Sequence, residues 1–294
     1  MAIKFGLVGY GTIAPFYLKA IEKNPNTLLL AVCDTDESKK AEIEKKGFHY
    51  LRDYKELISN EDIDAIIIAA PNYLHSKITI AALKAGKHVI CEKPMATNAK
   101  DASEMVKTAK KEKKALFVAF HCRFNEQVLK MKSKNKDIVG FRAVNFENIL
   151  DHCNSNNPWY LNKKLSGGGC IIDNGINFID VLYEFIQPLT FVKSEILDER
   201  EGIEVKAKLF FKQGELELDW NSSKEVKKIV LISENNDEYQ INFLDKENDE
   251  SIGSHMFHEY ENLLEYFLTC LKNTNCYGER GLYIQQIIDK IYSL

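Results

Sequence analysis

Apolar positions in the first 120 residues form short runs separated by longer stretches with helical periodicity. Between the runs, helices are predicted around Pro15–Lys23, Glu37–Lys46, Tyr54–Ser59, Ser76–Lys84 and Lys100–Lys113. The runs are IKFGLVG, LLLAVCD, AIIIAAP, HVICEKP and ALFVAF, and they are rich in β-branched residues. Strands without a polar face are typical of a parallel sheet that helices cover on both sides. The pattern predicts a doubly wound α/β domain over residues 1–121.

Residues 122–294 carry a different pattern. VGFRAVNFENI reads as a strand, and Ser166–Ile186 is predicted to be one long helix. IEVKAKLFF, GELELDW, KKIVLIS and EYQINFL then alternate, and in the first of them Glu204, Lys206 and Lys208 point to the polar side. This alternation predicts a mostly antiparallel open sheet with one face in water, in an α+β domain. A final helical stretch closes the chain, and it is a candidate for packing back on the first domain.

Composition and charge exclude several classes of partner. The 294 residues are 45% apolar and 28% charged, with a net charge of −4 and a pI near 6, which does not favour nucleic-acid binding. The longest apolar run, Ala65–Pro71, is far shorter than a membrane span, and the N-terminus does not resemble a signal peptide. We expect a cytoplasmic protein with no membrane partner. The seven cysteines show no metal-ligand spacing, and His255 and His258 have no third ligand nearby, so no metal is expected.

GYGTIA follows the first strand and opens a helix. Gly9 permits a tight turn, Gly11 lets the backbone approach a pyrophosphate, and Ala14 is small enough for the helix to pack on the strand. Thr12 and Ile13 complete the turn, where a helix N-terminus offers N–H groups to phosphates. The motif predicts a dinucleotide site.

Asp34 ends the second strand, 23 residues after Gly11 (34 − 11). A carboxylate at this point can bind both ribose hydroxyls of an NAD adenosine. The structural alternative is that it caps the next helix. No arginine lies between Asp34 and Arg52 to bind a 2′-phosphate, so NAD is favoured, while Lys39 and Lys40 leave NADP open.

HVICEKP carries an apolar strand directly into Glu92 and Lys93. Ligands of open α/β sheets bind at the carboxyl ends of the strands, so Lys93 is a candidate for exchanging a proton with a substrate hydroxyl. Glu92 and Lys93 of this motif are also both candidates for binding the cofactor. A lysine considered alone is more often part of a surface ion pair.

SGGGCIIDNGINFID, from Ser166, places Asp173, Asn177 and Asp180 on one helical face. The glycines before them are expected to let the backbone pass close to cofactor or substrate. An adjoining apolar stripe for the core is formed by Ile172, Ile176 and Ile179.

These motifs together resemble the Gfo/Idh/MocA family, the relatives of glucose–fructose oxidoreductase and inositol dehydrogenase. The resemblance rests on the glycine turn, on PNYLH followed by CEKP, and on WYLNKKLSGGGCIIDNGINFID from Trp159. It implies a Rossmann domain and an α+β domain whose open sheet often mediates oligomerisation. A homodimer or homotetramer is therefore expected, although the charged sheet face leaves a monomer open.

The resemblance also implies residue roles. Lys93 matches the catalytic lysine, and Asp173 matches the acid that contacts the substrate or orients the lysine. Pro71, Asn72 and His75 match the loop near the nicotinamide and its ribose.

Asn177 departs from the family pattern, because that position is usually a histidine that shuttles the hydroxyl proton. An asparagine side chain can hold a hydroxyl or carbonyl but does not titrate. Lys93 must then be the acid/base, with Asp173 and Asn177 as its catalytic partners. His152 and Tyr160, in the DHCNSNNPWY loop, are alternatives for the missing group.

Two further residues are candidates for substrate contact. Arg123 matches an arginine near the family's cleft and could bind a carboxylate or phosphate bidentately, with a structural ion pair as the alternative. Trp159, like Tyr160 beside it, is a candidate for packing on a sugar ring, and a core role is equally open.

The sequence therefore predicts an NAD-dependent oxidoreductase acting on a secondary alcohol of a sugar, sugar derivative or cyclitol. One alternative is an NAD-binding regulator or sensor without catalysis, which the asparagine at 177 favours. A second is an enzyme that uses NAD transiently with no net oxidation.

Overall fold

The structure of the chain, a computed structural model, describes residues 2–134, 136–149, 158–244, 254–272 and 276–293. It forms two compact units. The first comprises Met1–Ala119 with Tyr260–Tyr283, and the second comprises Phe120–Glu259 with Ile284–Leu294. The predicted division into domains after residue 121 stays a prediction.

The first unit is built on a six-stranded parallel sheet in the order β3-β2-β1-β4-β5-β6. This order confirms the predicted Rossmann plan. Only β3 was missed, because its three residues at the sheet edge carry no continuous apolar run. The strands are β1 Ile3–Val8, β2 Thr27–Cys33, β3 His49–Leu51, β4 Ala65–Ile68, β5 His88–Glu92 and β6 Leu116–Ala119.

The predicted helices of the first unit are present, with shifted ends. The fourth begins at Asn72, four residues before the predicted start at Ser76. Pro71 precedes it with an extended backbone. Proline has no N–H to donate within a helix, so it suits this position just before the helix. The helices described along the whole chain are α1 Ala14–Lys23, α2 Lys40–Lys45, α3 Tyr54–Ser59, α4 Asn72–Lys84, α5 Ala99–Glu112, α6 Glu126–Ser133, α7 Lys163–Ser166, α8 Ile176–Phe185, α9 Ser254–Lys272 and α10 Glu279–Tyr292.

The C-terminal segment of the first unit completes its core. Phe267 of α9 is fully buried, with its ring centroid 6.1 Å from that of Phe5 and 6.2 Å from that of Phe117. Leu116 N–H donates to the Cys276 carbonyl at 2.8 Å. Burying aromatic rings of this size contributes on the order of 2–3 kcal/mol each, so the segment is part of the unit's stability.

The second unit contains a six-stranded sheet in the order β12-β11-β7-β10-β9-β8. Only the β7–β10 pair is parallel, so the predicted, mostly antiparallel sheet is confirmed. The edge strand β8 was not predicted, because most of its residues are exposed and half of them are charged. The strands are β7 Ile138–Asn148, β8 Phe191–Arg200, β9 Ile203–Phe211, β10 Gly214–Asp219, β11 Asn221–Ser233 and β12 Glu238–Asn242.

Glu204 of β9 is buried, which corrects the prediction that it lies on the wet face. Its Oε1 accepts from the N–H of Gly169 at 2.7 Å and from the hydroxyl of Tyr292. Burial and the nearby carboxylate raise the pKa of Tyr292 well above its usual value, so the hydroxyl remains a donor. Lys206 and Lys208 do lie on the polar side, where they pair with acidic residues of β10.

The predicted single helix over Ser166–Ile186 is wrong in its first third. Helix α7 ends at Ser166, and the chain resumes with a π-helical turn, Ile171–Gly175, before α8 begins. The glycines within the break lie where other parts of the chain approach closely. A Cβ on Gly168 would meet Tyr292 Oη at 2.0 Å, and a Cβ on Gly169 would meet the Glu204 carbonyl at 2.1 Å.

Within the described ranges, no helix combines the length and the hydrophobicity that a membrane span requires. Their six cysteines form no disulfide: Cys33, Cys91, Cys122, Cys170, Cys270 and Cys276.

Gly169→Ala should destabilise the chain by about 3 kcal/mol, because the new methyl group would overlap backbone of β9. Gly11→Ala is the matched control, since a Cβ there meets nothing within 4 Å. Urea denaturation of both variants measures the difference. Equal free energies of unfolding would contradict the packing described for Gly169.

Candidate active site

The glycine turn after β1 requires glycine at its first position. Gly9 has a φ of +96°, and a Cβ there would lie 2.3 Å from the Ala69 carbonyl. The Gly9 N–H donates to the carbonyl oxygen of Cys33, at the end of β2, at 2.8 Å. The turn is thereby fixed between the carboxyl ends of β2 and β4.

Gly11 is exposed, with open space where a side chain would stand. Thr12 is also exposed, and Ile13 precedes α1 without any side chain capping the helix. A bare turn at an uncapped helix N-terminus is the kind of surface that accepts phosphate groups. This part of the chain fits the predicted dinucleotide.

The Asp34 carboxylate is held by the glycine turn itself. Its Oδ2 accepts from the N–H of Tyr10 at 2.8 Å and from Lys39 Nζ at 2.9 Å, while Oδ1 accepts from the N–H of Asp36 at 2.9 Å. The cap of the following 3-10 turn is Asp36, which accepts from Ser38. Asp34 therefore does not have the helix-capping role that was its structural alternative.

His75 links the PNYLH loop to the residues after β5. The ring is buried, with Nδ1 2.7 Å from the Pro94 carbonyl and Nε2 2.7 Å from the Ala70 carbonyl. Burial lowers the pKa of His75, although both carbonyl contacts oppose that shift. Asn72 is buried beside it at the start of α4, directly after Pro71. The three predicted residues therefore lie together at the start of α4, with Pro71 at its N-cap and Asn72 and His75 in its first turn.

Glu92 is a buried carboxylate with three donors. The hydroxyls of Tyr17 and Tyr260 donate to Oε1 at 2.8 and 3.0 Å, and the N–H of Lys93 donates to Oε2 at 3.2 Å. Burial and the adjacent carboxylate raise the pKa of Tyr17 well above its usual value, so it stays a donor. Lys93 follows at the carboxyl end of β5 and is half-buried.

The two tyrosines were missed by sequence reasoning. Tyr17 lies 75 residues from Glu92, and Tyr260 lies 168 residues away. Each reads as an ordinary apolar-face residue of a helix. No local signal identifies either one.

In the second unit, the π-helical turn and α8 carry the other predicted catalytic residues. Asp173 and Asn177 are 7% and 6% exposed. Within the described residues, Asn177 Oδ1 has no hydrogen-bond partner. A buried polar atom in this condition costs free energy unless a ligand or water completes it. The apolar stripe of the same segment, Ile172, Ile176 and Ile179, is buried as predicted.

Arg123 lies among acidic residues of α8. Its Nε is 4.0 Å from Asp180 Oδ2, and its Nη1 is 3.8 Å from Glu184 Oε1. Asp180 is fully buried. These contacts are those of the structural ion pair that was the alternative for Arg123, and its contact with a substrate stays a prediction.

Trp159 and Tyr160 stack on one another, with ring centroids 4.1 Å apart. Tyr160 also meets the buried Trp220 edge-on at 6.3 Å. Both predicted residues therefore have ring contacts within the second unit, and their contact with a sugar ring stays a prediction. His152 lies outside the described residues.

His121, Cys122 and Glu259 form a cluster that sequence reasoning did not find. Their donor atoms all lie within 4.8 Å of one another, and His121 Nδ1 is 2.6 Å from Glu259 Oε2. The second carboxylate oxygen accepts from Asn125 Nδ2 at 2.8 Å. The histidine and the glutamate are 138 residues apart, so no spacing pattern could indicate the pair.

Comparison with known proteins finds a family match for the first part of the chain. Residues 3–120 match the Gfo/Idh/MocA family, described as an oxidoreductase family with an NAD-binding Rossmann fold. The chain is similar to myo-inositol 2-dehydrogenase of Thermotoga maritima, with 33% identity over 132 residues, 44% of this chain and 40% of that protein. It is also 33% identical to D-glucoside 3-dehydrogenase of Escherichia coli over 184 residues, 60% of this chain and 52% of that protein.

A third relative is levoglucosan dehydrogenase of Pseudarthrobacter phenanthrenivorans, 33% identical over 134 residues, or 44% of this chain and 34% of that protein. The chain thus spans between a third and about half the length of these relatives.

Solved structures share the whole fold. A levoglucosan dehydrogenase in complex with NADH and levoglucosan superposes with a TM-score of 0.84, covering 100% of this chain and 97% of that one at 19% identity. The WlbA dehydrogenase from Bordetella pertussis, in complex with NADH and UDP-GlcNAcA, gives 0.83 over 100% and 96% of the chains at 22% identity. At these identities the likeness establishes the fold.

Tyr260→Phe should lower the free energy of unfolding by about 1.5–3 kcal/mol, because the buried Glu92 carboxylate loses a donor. Tyr266→Phe is the matched control, since Tyr266 lies on the same helix and is 48% exposed. Its expected change is below about 0.5 kcal/mol. Chemical denaturation compares the two, and equal effects would contradict the role of the Tyr260 hydroxyl.

Proposed function

Because residues 3–120 of this chain match the Gfo/Idh/MocA oxidoreductase family, we propose that the protein is an NAD-dependent oxidoreductase. The reaction interconverts a secondary alcohol and a ketone. The observation that carries the proposal is the position of Lys93 at the carboxyl end of β5, inside the part of the chain that matches this family.

Relatives support a ring-shaped, polyhydroxylated substrate. The similar proteins are named as dehydrogenases of inositol, levoglucosan and glucosides. We assign this chain a sugar, sugar derivative or cyclitol on that basis. A homodimer or homotetramer formed through the second sheet belongs to the same proposal, because its edge strand β8 leaves Val192, Ile196 and Leu197 about half exposed.

The first unit supplies the groups that would hold the cofactor. Gly9 and Gly11 present bare backbone to the phosphates, and the Asp34 carboxylate, already fixed by the Tyr10 N–H, would bind the adenosine ribose. Pro71, Asn72 and His75 would line the nicotinamide end. When bound, NAD accepts or donates the hydride at nicotinamide C4.

Lys93 is the acid/base in this proposal. Its amine would exchange a proton with the substrate hydroxyl. Glu92 would act through Lys93, because its carboxylate is hydrogen-bonded to the Lys93 N–H and is itself held by buried tyrosines. Asp173 and Asn177 would contact the substrate. Asn177 Oδ1, which has no hydrogen-bond partner in the part of the chain that the structure describes, suits a hydroxyl donor.

An NAD-binding regulator or sensor is the second candidate function. The observation that favours it is the asparagine at 177, where the family usually has a titrating histidine. Lys93 and Asp173 would then be retained without turnover. An enzyme that uses NAD with no net oxidation is a third candidate, distinguished by its products.

Lys93→Ala should reduce kcat by about 10²-fold or more, because the proton exchange loses its acid/base. The affinity for NADH should stay within about twofold, measured by NADH fluorescence. Lys107→Ala, at an exposed lysine of α5, is the matched control. Turnover is followed as NADH formation across a panel of sugars and cyclitols.

Each result separates the candidates. Normal turnover in Lys93→Ala would overturn the mechanism. Product without NADH accumulation would indicate the enzyme without net oxidation, and silence of the unsubstituted protein across the panel would indicate the sensor.

Asp34→Ala should weaken NAD⁺ binding by roughly 10- to 150-fold, which corresponds to losing hydrogen bonds to a charged group worth about 1.5–3 kcal/mol. Asp36→Ala, two residues away, should leave the affinity nearly unchanged. Isothermal titration calorimetry measures both. Unchanged affinity in Asp34→Ala would contradict the assigned ribose contact.

A further inference from the structure

Three side chains of the kinds that bind transition metals come together at the 3-10 turn that follows β6. We propose that His121, Cys122 and Glu259 form a binding site for one Zn²⁺ ion. The inference does not rest on the proposed function, because the site uses none of the residues assigned to cofactor or substrate. It replaces the expectation of no metal, which rested on ligand spacings along the sequence.

The ligand atoms come from two segments of the second unit. His121 and Cys122 lie in the 3-10 turn His121–Phe124, and Glu259 lies in α9. All three donor atoms lie within 4.8 Å of one another. His121 Nδ1 is 3.7 Å from Cys122 Sγ and 2.6 Å from Glu259 Oε2. Atoms grouped this closely surround a point that a single cation can occupy.

The separations between the donor atoms are close to those of a tetrahedral zinc site. Zn–N and Zn–O bonds of about 2.0–2.1 Å and a Zn–S bond of about 2.3 Å place N and S ligands about 3.6 Å apart, and N and O ligands about 3.4 Å apart. The distance between His121 Nδ1 and Cys122 Sγ already matches. The distance between His121 Nδ1 and Glu259 Oε2 has to widen by about 0.8 Å, because the ion takes the place of the hydrogen between them.

The chemistry of the donor atoms selects zinc. Mg²⁺ and Ca²⁺ take oxygen ligands, whereas Zn²⁺ accepts nitrogen, sulfur and oxygen ligands together. One thiolate and one carboxylate also balance the two positive charges of the ion. Three protein ligands leave a fourth position for water or another small ligand, and Cys122 is only half-buried, so solvent can reach that position.

A neighbouring amide orients the carboxylate for this role. Glu259 is 2% exposed, and its Oε1 accepts from Asn125 Nδ2 at 2.8 Å. The Asn125 N–H in turn donates to the Cys122 carbonyl at 3.1 Å. Hydrogen bonds of this kind orient the ligating carboxylates of metal proteins. Oε2 is thereby directed at His121, on the side where the ion would bind.

A bound ion would join two segments of the chain, since His121 and Glu259 are 138 residues apart. An ion that binds the folded chain better than the unfolded chain stabilises the fold by mass action. Zn²⁺ should therefore raise the melting temperature of the unsubstituted protein, and it should not raise that of Cys122→Ser. We assign the site the structural role of holding the N-terminal part of α9.

Titration of the full chain with Zn²⁺ tests the site. The protein is freed of metal with a chelator under reducing conditions and studied by isothermal titration calorimetry. One ion should bind per chain with a Kd of about 1 µM or tighter. Cys122→Ser should weaken binding by at least about 10-fold, because it removes the thiolate while keeping the size of the side chain. Cys276→Ser, at another half-buried cysteine, is the matched control and should leave the Kd nearly unchanged.

Two further variants and a spectrum identify the ligands. His121→Asn and Glu259→Gln should each weaken Zn²⁺ binding by at least about 10-fold, with His49→Asn, at an exposed histidine, as the control. Co²⁺ is the spectroscopic probe, because a thiolate ligand gives a near-ultraviolet charge-transfer band. That band should be absent in Cys122→Ser and present in Cys276→Ser. Circular dichroism establishes that each variant is folded.

Each result decides the inference. Failure of the unsubstituted chain to bind Zn²⁺ would overturn it, as would an unchanged Kd in Cys122→Ser or a Co²⁺ complex without the thiolate band. Equal weakening by Cys276→Ser would also overturn it, because the ion would then be held by other cysteines. None of these results bears on the proposed function. Conversely, a protein that neither binds NAD nor turns over any sugar would leave the zinc site in place.

Discussion

A buried carboxylate has to be paired, and in this chain the pairing of Glu92 organises the first unit. Leaving that charge without donors would cost several kcal/mol. Its partners come from α1, from α9 and from the backbone of Lys93, so one anionic group joins three elements that are far apart in sequence. The backbone of Lys93 is ordered in turn, because its N–H donates to the Glu92 carboxylate, which also accepts from two tyrosine hydroxyls. The chemistry proposed for Lys93 therefore depends on hydrogen bonds that Tyr17 and Tyr260 make to the preceding residue.

Much of the fold could be predicted because the parallel sheet is buried on both faces and its strands appear as apolar runs. The edge strands β3 and β8 could not be predicted, because an exposed strand has no continuous apolar run that would indicate it. Glu204 was wrongly predicted on the solvent-exposed face of β9. Strand alternation cannot reveal that Tyr292 of the last helix donates a hydrogen bond to it. The glycine turn, Asp34 and Lys93 follow from local motifs. Tyr17, Tyr260 and the His121–Glu259 pair do not, because each is created only when distant segments fold together.

The second unit shows a related division between local and distant determinants. Its glycines are explained by the bulk of Tyr292 and by the backbone of β9, and the π-helical turn follows them directly. A single inserted residue of this kind turns the side chains after it relative to those before it. Asp173 lies within that turn and Asn177 follows it in α8, so their mutual orientation depends on the turn as well as on sequence spacing.

The contribution of α9 to the first unit has a consequence for how the protein is made. Phe267 fills the space between Phe5 and Phe117, yet it leaves the ribosome only after every strand of both sheets has been synthesised. During translation, the part of the first unit that precedes α9 therefore has some of its apolar core uncovered. A chaperone that shields apolar surfaces would bind this intermediate. An mRNA truncated before the α9 codons would yield a polypeptide prone to aggregate.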